Sequence, residues 1–484
     1  MKGNIRVVLI LVIIISLFAF CFIIGCDGYE QRRNYTYYLS TEDDILMPSS
    51  GTQDEVITIV GGEIPGSVSK TQGNTYYVSP TGNNNNPGTK EAPWATPGYG
   101  SRQLQPGDTL VLLCNEGENT PSLAGRDNLR CAIDLTGVSY VTIINLEITS
   151  DNGALFRDGI TAIGAESTNL NFERLNINHL DEFGIDIGDV NYLNITDCDI
   201  SYCGFGSAGG PSGEYGGWRN VVITGCRFAY SGHYYQGGPG PSPYERPDGF
   251  GIEASSGPIE IADTVSEHNR GDGLDSKAGN TYIHECYVSN NSCDGVKLWG
   301  GGSKVVNCLI YGRGDGNSQA TDWAPLVINT ENANTSFEII NTTVDDCVGN
   351  NYVMYAQYDY PTTPINLTIK NTIFSARGDA SPIWLAGDIN FTIEYNLFYF
   401  PNSDYVLTYG NTDYDKDHVA DIGVGNKYGD PLFVSPAFGT NGDYHVNNGS
   451  PAIDAGTSES APSIDIDGNT RPQGSGYDIG CYER

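Results

Sequence analysis

Basic residues are scarce: Lys and Arg together number 25 against 59 Asp and Glu in 484 residues, a formal charge of −34. A surface so acidic repels the phosphate backbone, which excludes nucleic acid as a partner. Only six His are present, and no His pair or Cys-x-x-Cys cluster has the spacing of a zinc site. The polar remainder is Gly, Asn, Asp, Ser and Thr more than Lys and Glu, which excludes a helical bundle. With 39% apolar residues and 31 Tyr, the chain still has ample material for a core, and global disorder is excluded as well.

Long apolar runs are absent after the first 26 residues. Residues 1–6 carry two positive charges, and residues 7–24 are almost continuously apolar before Gly25 and Cys26. This reads as an export segment, long for a cleaved signal core and long enough to span a bilayer. The ending Ile23-Ile24-Gly25-Cys26 resembles a lipobox, so 1–26 is expected to be a signal peptide or membrane anchor. The protein is then extracellular, tethered to the cell surface, and touches membrane only through this segment. Residues 27–73 are polar and without period, a linker. Outside the cell, disulfides and glycosylation at eight Asn-x-Ser/Thr sequons become available, Asn290 and Asn341 among them.

From residue 74 the decisive feature is an internal repeat of the form apolar, x, apolar, x, polar, small, x, apolar. Its third slot holds Ile143, Phe172, Ile195, Ile223, Ile261, Ile283, Val305, Ile339, Ile369 and Ile393, at spacings of 29, 23, 28, 38, 22, 22, 34, 30 and 24 residues. A recurring floor of 22 with variable excess describes coils with loops inserted. Period-two alternation makes each segment a strand, and a 22-residue coil leaves no room for a helical crossover. The expected fold is all-β: a single right-handed parallel β-helix of ten or more coils over 74–400, with a C-terminal β-helix cap over 401–484 protecting the last edge. The small sixth slot holds Cys198, Cys226, Cys286 and Cys308 among others. At one coil's separation these either bridge or fill a narrow corner as free thiols.

Three successive coils carry the same outgoing strand, Asp248-Gly-Phe-Gly-Ile-Glu253, Asp272-Gly-Leu-Asp-Ser-Lys277 and Asp294-Gly-Val-Lys-Leu-Trp299. Alignment on the Gly buries Phe250, Leu274 and Val296 and turns Gly251, Asp275 and Lys297 to the outer face, with Asp248, Asp272 and Asp294 stacked. Such an acid column repels itself unless a cation neutralises it, and hard oxygen ligands select Ca²⁺. The region resembles the pectate lyases of polysaccharide lyase family nine, whose calcium motif Asp-Asp-Gly-x-Asp is matched by Gly271-Asp272-Gly-Leu-Asp275 except at the first acid, and whose base lies in a setting like Gly295-Val-Lys297-Leu-Trp-Gly300. The resemblance implies that Asp248, Asp272 and Asp275 bind calcium and that Lys297 removes the C5 proton of a uronate in β-elimination. Trp299, Arg313, Lys277, Tyr244 and Trp323 are expected to line the groove for an acidic polysaccharide. The protein is expected to act as a monomer. Two other readings stay open at this point: a glycoside hydrolase using Asp186 and Asp275 as acid and base, and a non-catalytic adhesion stalk in which Asp275 and Lys297 form a surface ion pair.

Overall fold

In a computed structural model, the chain is described over residues 74–484 except 96–98, 101–102, 104–107, 114–119, 126–128, 151–155, 235–246, 319–323, 349–351 and 379–380, with only short strand pieces before residue 74. The export segment and the linker therefore fall almost wholly outside the described residues, and Tyr244 and Trp323 fall outside them entirely. Among the described residues no helix is long and apolar enough to cross a membrane.

The fold is a right-handed parallel β-helix, in two compact units, Met1–Val221 with Tyr234–Gly240 and Val222–His233 with Pro241–Arg484. In the first unit, strands Ser139–Ile144, Ser167–Glu173 and Val190–Thr196 pair in parallel. The register aligns Ile143, Phe172 and Ile195, as the repeat requires. In the second unit the rung Ile261, Ile283, Val305, Ile339, Ile369 and Ile393 is likewise in register, one residue per coil, and buried throughout. Each such side chain contributes about 1.5–3 kcal/mol by leaving water.

The polar fifth slot has a backbone cause. Asn145, Arg174, Asp197, Asp263, Glu285, Asn307, Asn341, Asn371 and Tyr395 all adopt φ between 45° and 57°, and Gly225 in the same slot has φ 65°. One left-handed residue turns the chain from one sheet into the next, a conformation that Asn, Asp and Gly reach at least cost. The sixth slot then points into the corner it creates. Cys198, Cys226, Cys286 and Cys308 all keep their thiols there and form no disulfide, which decides between the two arrangements open in the sequence. Cys286 Sγ donates to the His284 carbonyl at 3.1 Å and Cys308 Sγ to the Val306 carbonyl at 3.2 Å.

The sheet that carries the candidate site runs through the second unit as β1 (Asp248–Ser255), β2 (Leu274–Ala278), β3 (Val296–Leu298), β4 (Leu326–Ile328), β5 (Tyr352–Ala356), β6 (Ser381–Leu385) and β7 (Tyr405–Tyr409). Its inward row is Phe250, Leu274, Val296, Leu326, Met354, Ile383 and Leu407.

The expected cap divides in two. The end of the last coil is covered by β8 (Thr412–Asp415), which pairs antiparallel with β7, and by a short helix, Val419–Ile422. Residues 430–484 instead turn back along the flank. Tyr444, Ile466, Cys481 and Tyr482 pack on Leu309 and Tyr311, and Val446, Ala452 and Ile479 pack on Ile373 and Leu397. The corner asparagines hold this strap: Asn307 donates to the Ile464 carbonyl, Asn341 to those of Asp478 and Gly480, and Asn371 to that of Thr457 at 2.7 Å. Asn290 donates to Thr440 in the same way. Asn290 and Asn341 are fully buried, so neither sequon is open to glycosylation in the folded protein.

Candidate functional site

The Asp-Gly pair that opens each outgoing strand divides its work. A Cβ on Gly273 would stand 2.5 Å from Val288 and 2.6 Å from Asn291 of the neighbouring sheet, so only Gly allows the corner to close. The Asp before it ties one coil to the next. Asp248 Oδ1 accepts from the Asp272 amide at 2.7 Å, Asp272 Oδ1 from the Asp294 amide at 2.9 Å, and Asp294 Oδ1 from the Ala324 amide at 2.9 Å. One oxygen of each carboxylate is thus spent on the backbone and the other is left to face the site.

The outer row of the sheet places Gly251, Asp275 and Lys297 side by side on β1, β2 and β3. Asp275 and Lys297 are register partners, as the 22-residue spacing demands, but they are not solvent-exposed: Lys297 is 3% and Asp275 9% exposed. The surface pair foreseen in the sequence is a buried one, and its partners differ. Lys297 Nζ lies 3.0 Å from Asp272 Oδ2 and 3.0 Å from Asp294 Oδ2, and 5.8 Å from the centre of the Trp299 ring. Asp275 Oδ1 accepts from Trp299 Nε1 at 2.9 Å.

Carboxylate oxygens of Asp248, Asp272 and Asp275 lie within 4.8 Å of one another. Oxygens sharing one calcium at 2.3–2.6 Å lie at most about 5 Å apart, so the three residues fit such an ion. Gly251 keeps the place open, since a Cβ there would sit 2.7 Å from Asp248 Oδ2. The electrostatics agree. Burial, then the charges of Asp272 and Asp275, hold Asp248 well above the usual carboxylate range. Burial pushes Asp275 up to about 7 against the attraction of Lys297, and burial with the Asp272 charge pushes Asp294 up to about 6. For Lys297, burial alone would lower the pKa. The charges of Asp272, Asp294 and Asp275 reverse that and hold it above its ordinary value.

The other expected site residues separate. Lys277 stands beside the cluster, ion-paired with Glu253 and 5.9 Å from the Trp299 ring centre. Arg313 does not line a groove: its side chain is buried in an ion pair with Asp346 at 2.7 Å. Asp186 belongs to the first unit, where it pairs in register with Gly209. Asp294 was seen in the sequence only as a stacked acid, and the structure makes it half of the cradle around Lys297.

Residues 131–310 match the family model described as "Right handed beta helix region". No curated protein matches the chain. Among solved structures it is similar to pectate lyase Pel9A, at 15% identity over 86% of this chain and 97% of that one with a TM-score of 0.45. It is similar to a rhamnogalacturonan lyase at 17% identity, over 67% and 87% of the two chains, TM-score 0.43. A third is XylC in complex with xylose, at 11% identity over 74% and 67%, TM-score 0.46.

Proposed function

We propose that the protein is an extracellular polysaccharide lyase, anchored through its N-terminal segment and acting as a monomer, that cleaves a uronic-acid-containing polysaccharide by β-elimination. The observation that carries this reading is the convergence of Asp248, Asp272 and Asp275 within 4.8 Å, one coil from a buried Lys297. A calcium ion on these acids would neutralise a substrate carboxylate and so acidify the neighbouring C5 proton. Lys297 is the base. An ion offsetting the charge on Asp272 and Asp275 would leave Asp294, 3.0 Å away, as the one carboxylate still opposing the effect of burial, and so would lower the proton affinity of Lys297, the direction a base working near neutrality needs. Nζ takes the C5 proton, the C4 leaving group departs, and an unsaturated sugar remains. Trp299, fixed by Asp275, and Lys277 border the place where that sugar would lie.

One observation favours a rival. Lys297 is already engaged by two carboxylates, so it serves equally well as the counter-ion of a structural acid ladder. A panel of uronans assayed for ultraviolet-absorbing products separates the two. The lyase reading expects product from at least one uronan, dependent on calcium and lost in Lys297→Arg, because guanidinium does not deprotonate at working pH. Reducing ends without absorbance would instead indicate hydrolysis, and no product from any uronan would leave the ladder reading.

A further inference from the structure

The outer row of the site sheet continues past Lys297 as Val327 on β4, Tyr355 on β5 and Trp384 on β6. Its character changes there from acidic to aromatic. Tyr355 is buried with Val327 and Ala324 at the base, and Tyr352 and Trp384 pack over it. Ring centres lie 6.3 Å apart for Tyr352 and Trp384, 5.5 Å for Tyr358 and Trp384, and 5.7 Å for Tyr355 and Tyr358. These tilted and edge-on contacts fix the rings against one another. Tyr358 is 57% exposed all the same. Tyr352 and Trp384 beside it are half-buried, and ring faces left partly open around an exposed Tyr mark a binding surface. Its members are Tyr and Trp, which carry polar tips, and a wet ligand suits them better than a dry protein interface does.

We propose that Trp384, Tyr352 and Tyr358 form a stacking platform for uncharged sugar residues of the polysaccharide, two to three coils beyond Lys297. Each coil advances roughly 4.8 Å, close to the length of one pyranose in an extended chain, so the platform stands roughly 10 to 14 Å along the row from Lys297. The occupant is neutral for an electrostatic reason. No Lys or Arg follows Lys297 in the row, whose later members are Val327, Tyr355, Trp384 and Thr408. Acids stand beside the exposed ring: Asp359 is exposed next to Tyr358, and Glu331 accepts from the hydroxyl of Tyr360, two residues on, at 3.0 Å. A uronate there would meet like charge, whereas the apolar face of a neutral pyranose covers a ring without cost. The substrate is on this account a heteropolysaccharide, acidic at the reacting residue and neutral further along. That last step rests on Lys297 being the reactive centre; the platform itself does not.

The test is calorimetric titration of the full chain, in chelator, with cellohexaose, xylohexaose, mannohexaose and hexagalacturonate. At least one neutral hexasaccharide is expected to bind, at least about tenfold more weakly in Trp384→Ala and in Tyr358→Ala. Tyr358 is exposed, so its removal spares the fold and keeps the result interpretable. No binding by any neutral hexasaccharide overturns the proposal. So does tighter binding of hexagalacturonate through the same two residues, or a change in sedimentation showing that the rings join two copies of the chain. The chelator separates this measurement from the lyase reading: absence of unsaturated product leaves the platform standing, and loss of neutral-sugar binding leaves the base assignment untouched.

Discussion

Replacing Lys297 by Ala removes a cation that two buried carboxylates share. Asp272 is 1% exposed and Asp294 0%, and each lies 3.0 Å from the ammonium, so neither can recruit bulk water in its place. Breaking a buried pair from one side costs about 3–5 kcal/mol, because the remaining charge is left uncompensated. For a unit of this size that corresponds to a fall in melting temperature of roughly 6 to 20 °C in chelator. This departs from an outward-facing lysine, whose truncation would leave stability nearly unchanged. Calcium should restore part of the loss by taking over the neutralising role: at a Kd on the order of 10⁻⁴ M, about 10 mM of the ion supplies about 2.7 kcal/mol. The assay is thermal melting of Lys297→Ala and the native chain, each with chelator and with calcium at low salt. Equal melting temperatures for the two in chelator would refute the claim that Lys297 neutralises the cluster. A variant that calcium does not stabilise would remove the cation site itself.

The pH dependence has a definite sign. Asp275 and Asp294, at about 7 and about 6 in the fold, lie above the ordinary carboxylate value, so the fold favours their protonated forms; in chelator, stability should fall as pH rises from about 4 to about 7, and calcium should flatten that fall, as melting curves across the range will show. Ile283→Asp would bury an unpaired charge in the middle of a rung and should abolish recovery of folded protein, so normal yield and circular dichroism would contradict the register. Arg313→Ala should cost about 3–5 kcal/mol in denaturant titration while leaving saccharide binding unchanged, because its partner is Asp346 and not a ligand.

The rungs were legible in the sequence because the coil imposes two rules that residues cannot evade. Alternation assigns Ile283 and its equivalents to the interior, and the 22-residue floor fixes which residues stack, so Asp275 was placed beside Lys297 correctly. Depth was not legible. Period two separates the inside of the coil from the outside, but Lys297 is outside the coil and still buried, between Asp272 of the preceding coil and Asp294 of its own. Arg313 escaped for the same reason: its acid partner stands 33 residues on, after a loop whose length the repeat does not constrain. The aromatic platform was missed because the spacings of 34 and 30 residues between Val305, Ile339 and Ile369 depart from the 22-residue floor and obscure the register that brings Tyr355 and Trp384 into line with Lys297. The strap is invisible to any repeat-based reading, since it has no period of its own.

That strap also sets the order in which the molecule can be completed. Thr440 meets Asn290 across 150 residues of chain, Ile464 meets Asn307 across 157, and Cys481 meets Thr343 across 138. Coils can pair one upon the next as the chain emerges, since each needs only its predecessor. The flank of those coils stays open until residues 440–481 reach it, and contacts so distant in sequence form late. Folding of the described coils therefore ends with a closing event, the docking of the strap. A chain shortened by even its last few residues would lose Glu483, and with it the buried partner of Arg471, leaving the Leu309 and Tyr311 face wet and exposed to proteases.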